Sequence, residues 1–430
     1  MSKRLIALAL AMTFGLALGA NIVSAEGGRP ATATAVAAES AEKNETAGTT
    51  ESEASKPDAE GTLSLLNLRS RMLENYYPLL ALEENIKTLE EWDYKRTEDE
   101  LRDQLNDNAN QQWYYMTDPV MSVSIGPMMS RQLQMQYDAL RDAYDDVRKG
   151  KLQKDNEGVK HQLRNLQNQT VIVAESLYIT LKGLEAQDAS LTRTIAALGR
   201  TEQEMALREK LGQISALQLQ QVQLGAMQAE SGQKTLRMNM DNILMQLKAM
   251  SGVELDKDIS LAALPTVAAE RIEAMSLEKD LASAQEASYE LYDAKKTYDD
   301  AKEAYDDALE EYGTYSKKNE WMQAKHTWQA AQYTYENAKQ SYELKFRTLY
   351  AQVKDAAQIV DAKREALAAQ EKSYQASALK YKQGSISANE LANAGDELAK
   401  VKDELASAER DLFTQYRSYQ WAAQYGILNS

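Results

Sequence analysis

The clearest structural signal in this sequence lies in residues 291–342, LYDAKKTYDDAKEAYDDALEEYGTYSKKNEWMQAKHTWQAAQYTYENAKQSY. Leucine, alanine and tyrosine recur at alternating intervals of three and four from Leu291 to Tyr312, and tryptophan, alanine and tyrosine do the same from Trp321 to Tyr342. This is the a/d spacing of a coiled coil. The two stripes flank residues 313–319, so they predict an antiparallel helical hairpin in which aromatic side chains pack opposite alanines.

The same helical unit occurs twice in the chain. Residues 176–215 align without gaps with residues 348–387. The aligned identities include Leu177 with Leu349, Tyr178 with Tyr350, Lys182 with Lys354, and Gly212 with Gly384. The chain is therefore predicted to hold two tandem copies, residues 61–254 and 272–430, joined by a linker over 255–271.

Each copy is predicted to end in a second hairpin, and its bend can be recognised from the sequence. The bends are predicted at Leu211, Gly212, Gln213 and Ile214 and at Gln383, Gly384, Ser385 and Ile386. Glycine ends a helix by adopting positive φ, and the serine that follows caps the next helix. A helix over 319–382 would be about 95 Å long. The predicted fold class is all-α, with long antiparallel hairpins in two repeats and little or no β structure.

Composition excludes several functions. A net charge of −16 is unsuited to nucleic-acid phosphates, and the absence of cysteine excludes disulfides and thiol catalysis. His161 and His326 have no matching ligand set nearby, so no metal or other cofactor is expected. The acidic residues fall on heptad exteriors, and no nucleophile motif or phosphate loop appears. We expect no enzyme activity.

The N-terminal 25 residues have the order of a signal peptide. Lys3 and Arg4 precede an apolar stretch over 5–18, and small residues at 23–25 predict cleavage after Ala25. The exported chain would then begin with residues 26–60, which are rich in Ala, Ser, Thr and Glu. Such a composition buries too little apolar surface to fold, so we expect a disordered tether.

Two copies, each with a glycine-containing helix bend, resemble the TolC (outer membrane efflux protein) family over about residues 61–428. The resemblance implies a homotrimer enclosing a hollow α-barrel. It also implies that the bends dock to a membrane-fusion adaptor, which joins the channel to an inner-membrane pump. By position it places Gln218, Gln221, Glu390 and Asn393 at the pore constriction. Three of these four are neutral amides, so we expect weak ion selectivity.

The chain departs from that family between its outer helices. Outer-membrane relatives insert two long β-strands per copy there, and a membrane strand needs about 9–11 residues. The second copy offers only residues 313–319, and the first only 114–130, with room for one short strand near 120–125. We therefore expect no transmembrane barrel. The resemblance suggests the outer membrane, but this departure favours a periplasmic, extracytoplasmic or cell-wall location.

The connector over 113–130 is apolar and nearly uncharged. It could fold onto the axis of the chain's own trimer. Alternatively, it could be a tip that touches a membrane or another envelope layer, since exposed apolar patches usually contact something. The sequence leaves both interpretations open.

Three functions remain after these exclusions. The leading hypothesis is a helical conduit in an export or efflux system. The first alternative is a non-conducting coiled-coil scaffold of the cell envelope, derived from the same family. The second alternative is a hydrolase or a regulator of wall hydrolases, which only the predicted extracellular location supports.

Overall fold

The computed structural model describes residues 58–59, 61–312 and 319–428, except for the side chain of Ser124. The predicted signal peptide, nearly all of the predicted tether and the turn over 313–318 lie outside the described residues.

Helices account for most of the described chain. In the first copy they are α1 (Leu65–Asn75), α2 (Tyr77–Glu90), α3 (Tyr94–Thr117), α4 (Met121–Ser124), α5 (Gly126–Arg148), α6 (Lys151–Lys210) and α7 (Ala216–Ser251). The later helices are α8 (Ala269–Glu273), α9 (Leu277–Ala287), α10 (Tyr289–Tyr312), α11 (Asn319–Lys382) and α12 (Ala388–Tyr425). Two short strands, β1 (Thr62–Leu63) and β2 (Ser260–Leu261), pair in parallel. The predicted all-α fold class is confirmed.

The hairpin predicted from the two heptad stripes is formed by α10 and α11. Every stripe position is buried or half-buried, whereas most intervening residues are exposed. The ring centroids of Tyr305 and Trp328 lie 5.0 Å apart, and those of Tyr298 and Tyr335 lie 6.0 Å apart. Aromatic stacking across the pair therefore fixes the register of the two helices.

Two longer hairpins, α6 with α7 and α11 with α12, lie next to each other. Each helix packs along its hairpin partner, and α6 also packs against α12. The lateral order of these four long helices is therefore α7, α6, α12, α11. This leaves α7 and α11 at the two edges of the layer.

Each copy contributes most of one hydrophobic core, which lies near the middle of α6 or α11 and toward the C-terminal end of the hairpin partner, α7 or α12. In the first core the Tyr178 hydroxyl shares its one hydrogen between the carbonyl oxygens of Leu63 and Ala262, at 3.0 and 2.8 Å, next to the β1–β2 pair. In the second, the buried Tyr342 hydroxyl donates to the Ala284 carbonyl at 3.0 Å. These bonds satisfy the only polar atom of each buried ring.

The two copies differ in their outer hairpins. The second uses one continuous return helix, α11, whereas the first breaks at Gly150, which has a φ of 74° and separates α5 from α6. The one short strand for which the sequence left room near 120–125 does not form. Residues 121–124 are instead the one-turn helix α4, because the Asp118 carboxylate accepts the Val120 and Met121 amides and starts a helical turn.

Candidate functional site

The bend between α6 and α7 is built by backbone geometry. Gly212 has a φ of 70°, which lets its N–H reach the Glu209 carbonyl at 2.9 Å while the Gln213 N–H reaches the Arg208 carbonyl at 2.9 Å. This pair of bonds closes a helix C-terminus. Ser215 then caps α7, and the Gln218 side chain reaches back to the Ser215 N–H at 3.0 Å.

The bend between α11 and α12 repeats this geometry with one chemical change. Gly384 has a φ of 72°, and Ser387 caps α12 as Ser215 caps α7. The reciprocal partner is here a carboxylate, because Glu390 accepts the Ser387 N–H at 2.7 Å. That backbone hydrogen bond lowers the pKa of Glu390. The sequence prediction of two glycine bends followed by serine caps is confirmed.

This change predicts that one bend responds to acid and the other does not. Because the folded pKa of Glu390 is lowered, its bond to the Ser387 amide is complete above the ordinary carboxyl pKa and is lost as the pH falls through the folded value. We expect protection of the Ser387 amide from hydrogen exchange, corrected for intrinsic rates, to fall in acid while that of Ser215 does not. Glu390→Gln should abolish the difference, and an equal acid response at both amides would contradict the assignment.

A seam of ion pairs joins the two hairpins on the side of the bends. Arg193 contacts Asp403, and Arg200 contacts Asp396 at 3.2 Å, so both partners step by one heptad along α6 and α12. Closer to the bends, Asn389 donates to Glu204 at 3.0 Å. The seam brings the two bends to the same end of the molecule.

The predicted site residues occupy different surroundings. At each bend the first three positions are exposed and the isoleucine, Ile214 or Ile386, is half-buried. Among the predicted constriction residues, Gln218 and Glu390 are held by the serine caps, and Gln221 is exposed. The Asn393 Oδ1 atom is buried and has no hydrogen-bond partner among the described residues. The structure therefore brings the bends together but directs the four constriction side chains differently.

Sequence reasoning missed a buried charge that joins the two copies. Glu175 on α6 is 2% exposed, and its carboxylate accepts two hydrogen bonds from Arg417 on α12, at 2.9 and 2.7 Å. The Trp421 indole donates to the same carboxylate at 2.7 Å. The heptad spacing of Arg193 and Arg200, and of Asp396 and Asp403, could have indicated the ion pairs of the seam. No local sequence pattern connects Glu175 with Arg417, because the two residues lie far apart in the chain.

The described residues contain no group of three or more His, Cys, Asp or Glu placed to hold a metal ion. His161 packs against Tyr292, with ring centroids 4.7 Å apart, and His326 is exposed. Within the same residues, no helix combines the length and the apolar character needed to cross a membrane.

No family model and no curated protein matches this sequence. Among solved structures, a membrane protein from Pseudomonas aeruginosa aligns with 93% of this chain and 97% of its own, at 12% identity and a TM-score of 0.50. The outer-membrane channel OprN aligns with 94% of this chain and 99% of its own, at 14% identity and a TM-score of 0.49. The outer membrane channel CmeC of Campylobacter jejuni covers 94% and 95%, at 12% identity and a TM-score of 0.47. The first of these matches shows a shared fold, and at such identities it shows the fold alone.

Proposed function

We propose that this chain, which has a TolC-like fold, is a non-enzymatic, exported component of an efflux or export system in the cell envelope. Three copies would form a helical conduit whose bends dock to a membrane-fusion adaptor, which in turn contacts an inner-membrane pump. The observation that supports this proposal is a pair of exposed heptad stripes on the two edge helices of the long-helix layer.

The first stripe lies on α7. Leu217, Leu224, Ser231, Met238 and Met245 follow one another at intervals of seven, and all are exposed. The half-buried positions of α7 that pack on α6 lie on the other side of the helix. A heptad of leucine and methionine, interrupted once by Ser231, on an edge helix is typical of a helix that pairs with another helix.

The second stripe lies on α11 and consists of small residues after one isoleucine. Its members are exposed and spaced by three and four, namely Ile359, Ala362, Ala366, Ala369, Ser373 and Ala376. Large side chains on one edge and small ones on the other can interdigitate at native packing density. The edges are chemically complementary but lie on opposite sides of one chain.

The two stripes also lie at the same height. Three successive contacts across the layer set a common level: Gln233 with Thr192, Arg193 with Asp403, and Glu404 with Lys363. Between this level and the bends, α7 carries Leu217, Leu224 and Ser231, and α11 carries Ala366 to Ala376. A head-to-tail contact between edges of successive copies closes into a ring when the rotation permits.

Ring closure would place three pairs of bends around one opening. In that arrangement the exposed bend positions, Leu211, Gly212, Gln213, Gln383, Gly384 and Ser385, would form the surface for the adaptor, with Ile214 and Ile386 beneath. Gln218, Gln221, Glu390 and Asn393 would lie near the aperture. Since Glu390 alone of these four is charged, we expect weak ion selectivity.

A matched pair of substitutions on α11 tests the assembly. Ala366→Tyr places a large side chain in the middle of the small-residue stripe and should lower the solution mass from trimer to monomer. Ala368→Tyr adds the same side chain two residues away, at an exposed position outside the stripe, and should leave the trimer intact. Light scattering after size exclusion gives both masses, with helicity by circular dichroism showing that each variant is folded.

The wild-type mass decides between conduit and scaffold. A trimer that only Ala366→Tyr dissociates supports the conduit. A wild-type monomer, or a dimer whose mass neither substitution changes, could not enclose the proposed channel. Either result would favour the non-conducting scaffold.

A further inference from the structure

The end of the outer hairpin of the first copy, residues 113–130, is here called the tip. Between Asp107 and Arg131 its only charged residue is Asp118. Val123 at the turn is 85% exposed, Val120 is 73% exposed, and Met128 is 66% exposed. The trimer proposed above uses other surfaces and gives this apolar tip no role.

The tip is a packed structure rather than a loose loop. A Cβ atom on Gly126 would lie 2.6 Å from the Tyr115 carbonyl oxygen, so the start of α5 passes directly against the end of α3. Behind the turn, the Gln112 side chain donates to Gln134 at 2.9 Å, which joins the two limbs by an uncharged contact. The exposed apolar residues are therefore displayed on a built support.

The polar groups of the turn are largely satisfied within the tip. Asp118 Oδ1 accepts the amides of Val120 and Met121, each at 2.9 Å, and these bonds lower the pKa of Asp118. Pro119 and Pro127 have no N–H to satisfy. Other turn amides donate to backbone carbonyls, namely those of Asp118, Ser122, Ile125, Met128 and Met129. Internal satisfaction of backbone groups is what a lipid environment requires, because lipid tails offer no hydrogen-bond partners.

The side chains are also ordered by chemistry along the hairpin. Aliphatic residues occupy the turn, whereas Trp113, Tyr114 and Tyr115 lie on the last turns of α3, one step behind it. Apart from Asp118, whose Oδ1 is held by the Val120 and Met121 amides at the turn, charged residues resume only at Asp107 and Arg131. The hairpin therefore runs from an apolar end through a belt of aromatic rings to charged residues. This order is found where a protein enters the interface of a bilayer, with the rings at the depth of the headgroups.

We propose that the tip inserts into the interfacial region of one leaflet of a lipid bilayer and thereby anchors the chain peripherally. Binding of this kind depends on buried apolar area and not on basic residues. The protein should therefore bind vesicles of pure phosphatidylcholine, and high salt should not release it.

Two substitutions of equally exposed residues test the proposal. Val123→Asp places a charge at the apex and should weaken vesicle binding about tenfold or more, since charged side chains are strongly disfavoured in the apolar region. Tyr77, at the start of α2 and 84% exposed, serves as the control, and Tyr77→Asp should bind as the wild type does. Co-flotation of the purified full chain with phosphatidylcholine vesicles gives the bound fraction.

Three outcomes would overturn the proposal. The first is a wild type that does not float with the vesicles, and the second is equal loss of binding in both variants. The third is a solution mass, measured without lipid, that falls in Val123→Asp alone, because a second copy of the chain would then cover the tip. A stable trimer that ignores vesicles would refute the anchor and leave the proposed conduit intact.

Discussion

Gly426→Ala should destabilise the protein by roughly 2 to 5 kcal/mol, combining the cost of a left-handed alanine with that of overpacking. Gly426 ends α12 with a φ of 66°. A Cβ atom there would lie 2.3 Å from the Ser288 nitrogen and 2.4 Å from its Cα, which are backbone atoms at the break between α9 and α10. Backbone cannot swing aside as a flexible side chain can. Chemical denaturation followed by circular dichroism measures the loss.

The chain supplies its own control for that prediction. Gly384 has a φ of 72°, yet a Cβ there would meet nothing within 4 Å. Gly384→Ala should therefore cost only the conformational penalty, about 1 to 2 kcal/mol. Equal losses for the two variants would show that the contact with Ser288 does not restrict position 426.

Glu175→Ala should destabilise the protein by about 2 to 4 kcal/mol, because it removes a buried carboxylate and leaves Arg417, whose side chain is 25% exposed, without its charge partner. The Arg417 guanidinium would lose its two hydrogen bonds to Glu175, at 2.9 and 2.7 Å, and keep the one to Gln420 at 3.0 Å, whereas the Trp421 N–H would lose its acceptor at 2.7 Å. Since α6 belongs to the first copy and α12 to the second, the loss should loosen the contact between the copies. Urea denaturation gives the change in unfolding free energy.

Two further variants separate the effect of burying the ion pair from the effect of leaving one charge unpaired. Glu409 on α12 pairs with Arg364 at 3.2 Å, but their side chains are 39% and 55% exposed, so Glu409→Ala should cost about 0 to 1 kcal/mol. The double substitution Glu175→Leu with Arg417→Met removes both charges and should recover much of the loss. A double variant as unstable as Glu175→Ala would mean that packing and the unsatisfied Trp421 N–H, and not the unpaired charge, govern this site.

The parts of the fold that sequence predicted are those encoded by local repetition. The aromatic heptads of α10 and α11 predicted their hairpin, and glycine followed by serine predicted both bends at Gly212 and Gly384. Helix α11 has the predicted bounds, Asn319–Lys382. Heptad spacing and positive-φ glycines act within a few residues, so one sequence suffices to read them.

The remaining features depend on contacts between distant residues. Nothing near Glu175 in the sequence signals Arg417 or Trp421, which meet it only because α6 and α12 lie side by side. The candidate constriction residues show the same dependence. Gln218 and Glu390 could have been assigned to capping boxes from their spacing to Ser215 and Ser387, whereas the burial of the Asn393 oxygen depends on how the helices pack.

The most direct test of the proposed conduit is an electron cryomicroscopy reconstruction of the purified wild-type protein. We expect a threefold particle in which α7 of one copy packs on α11 of the next, with an open channel along the axis and all bends at one end. A particle in which the small-residue stripe of α11 faces solvent, or in which no axial channel exists, would contradict it.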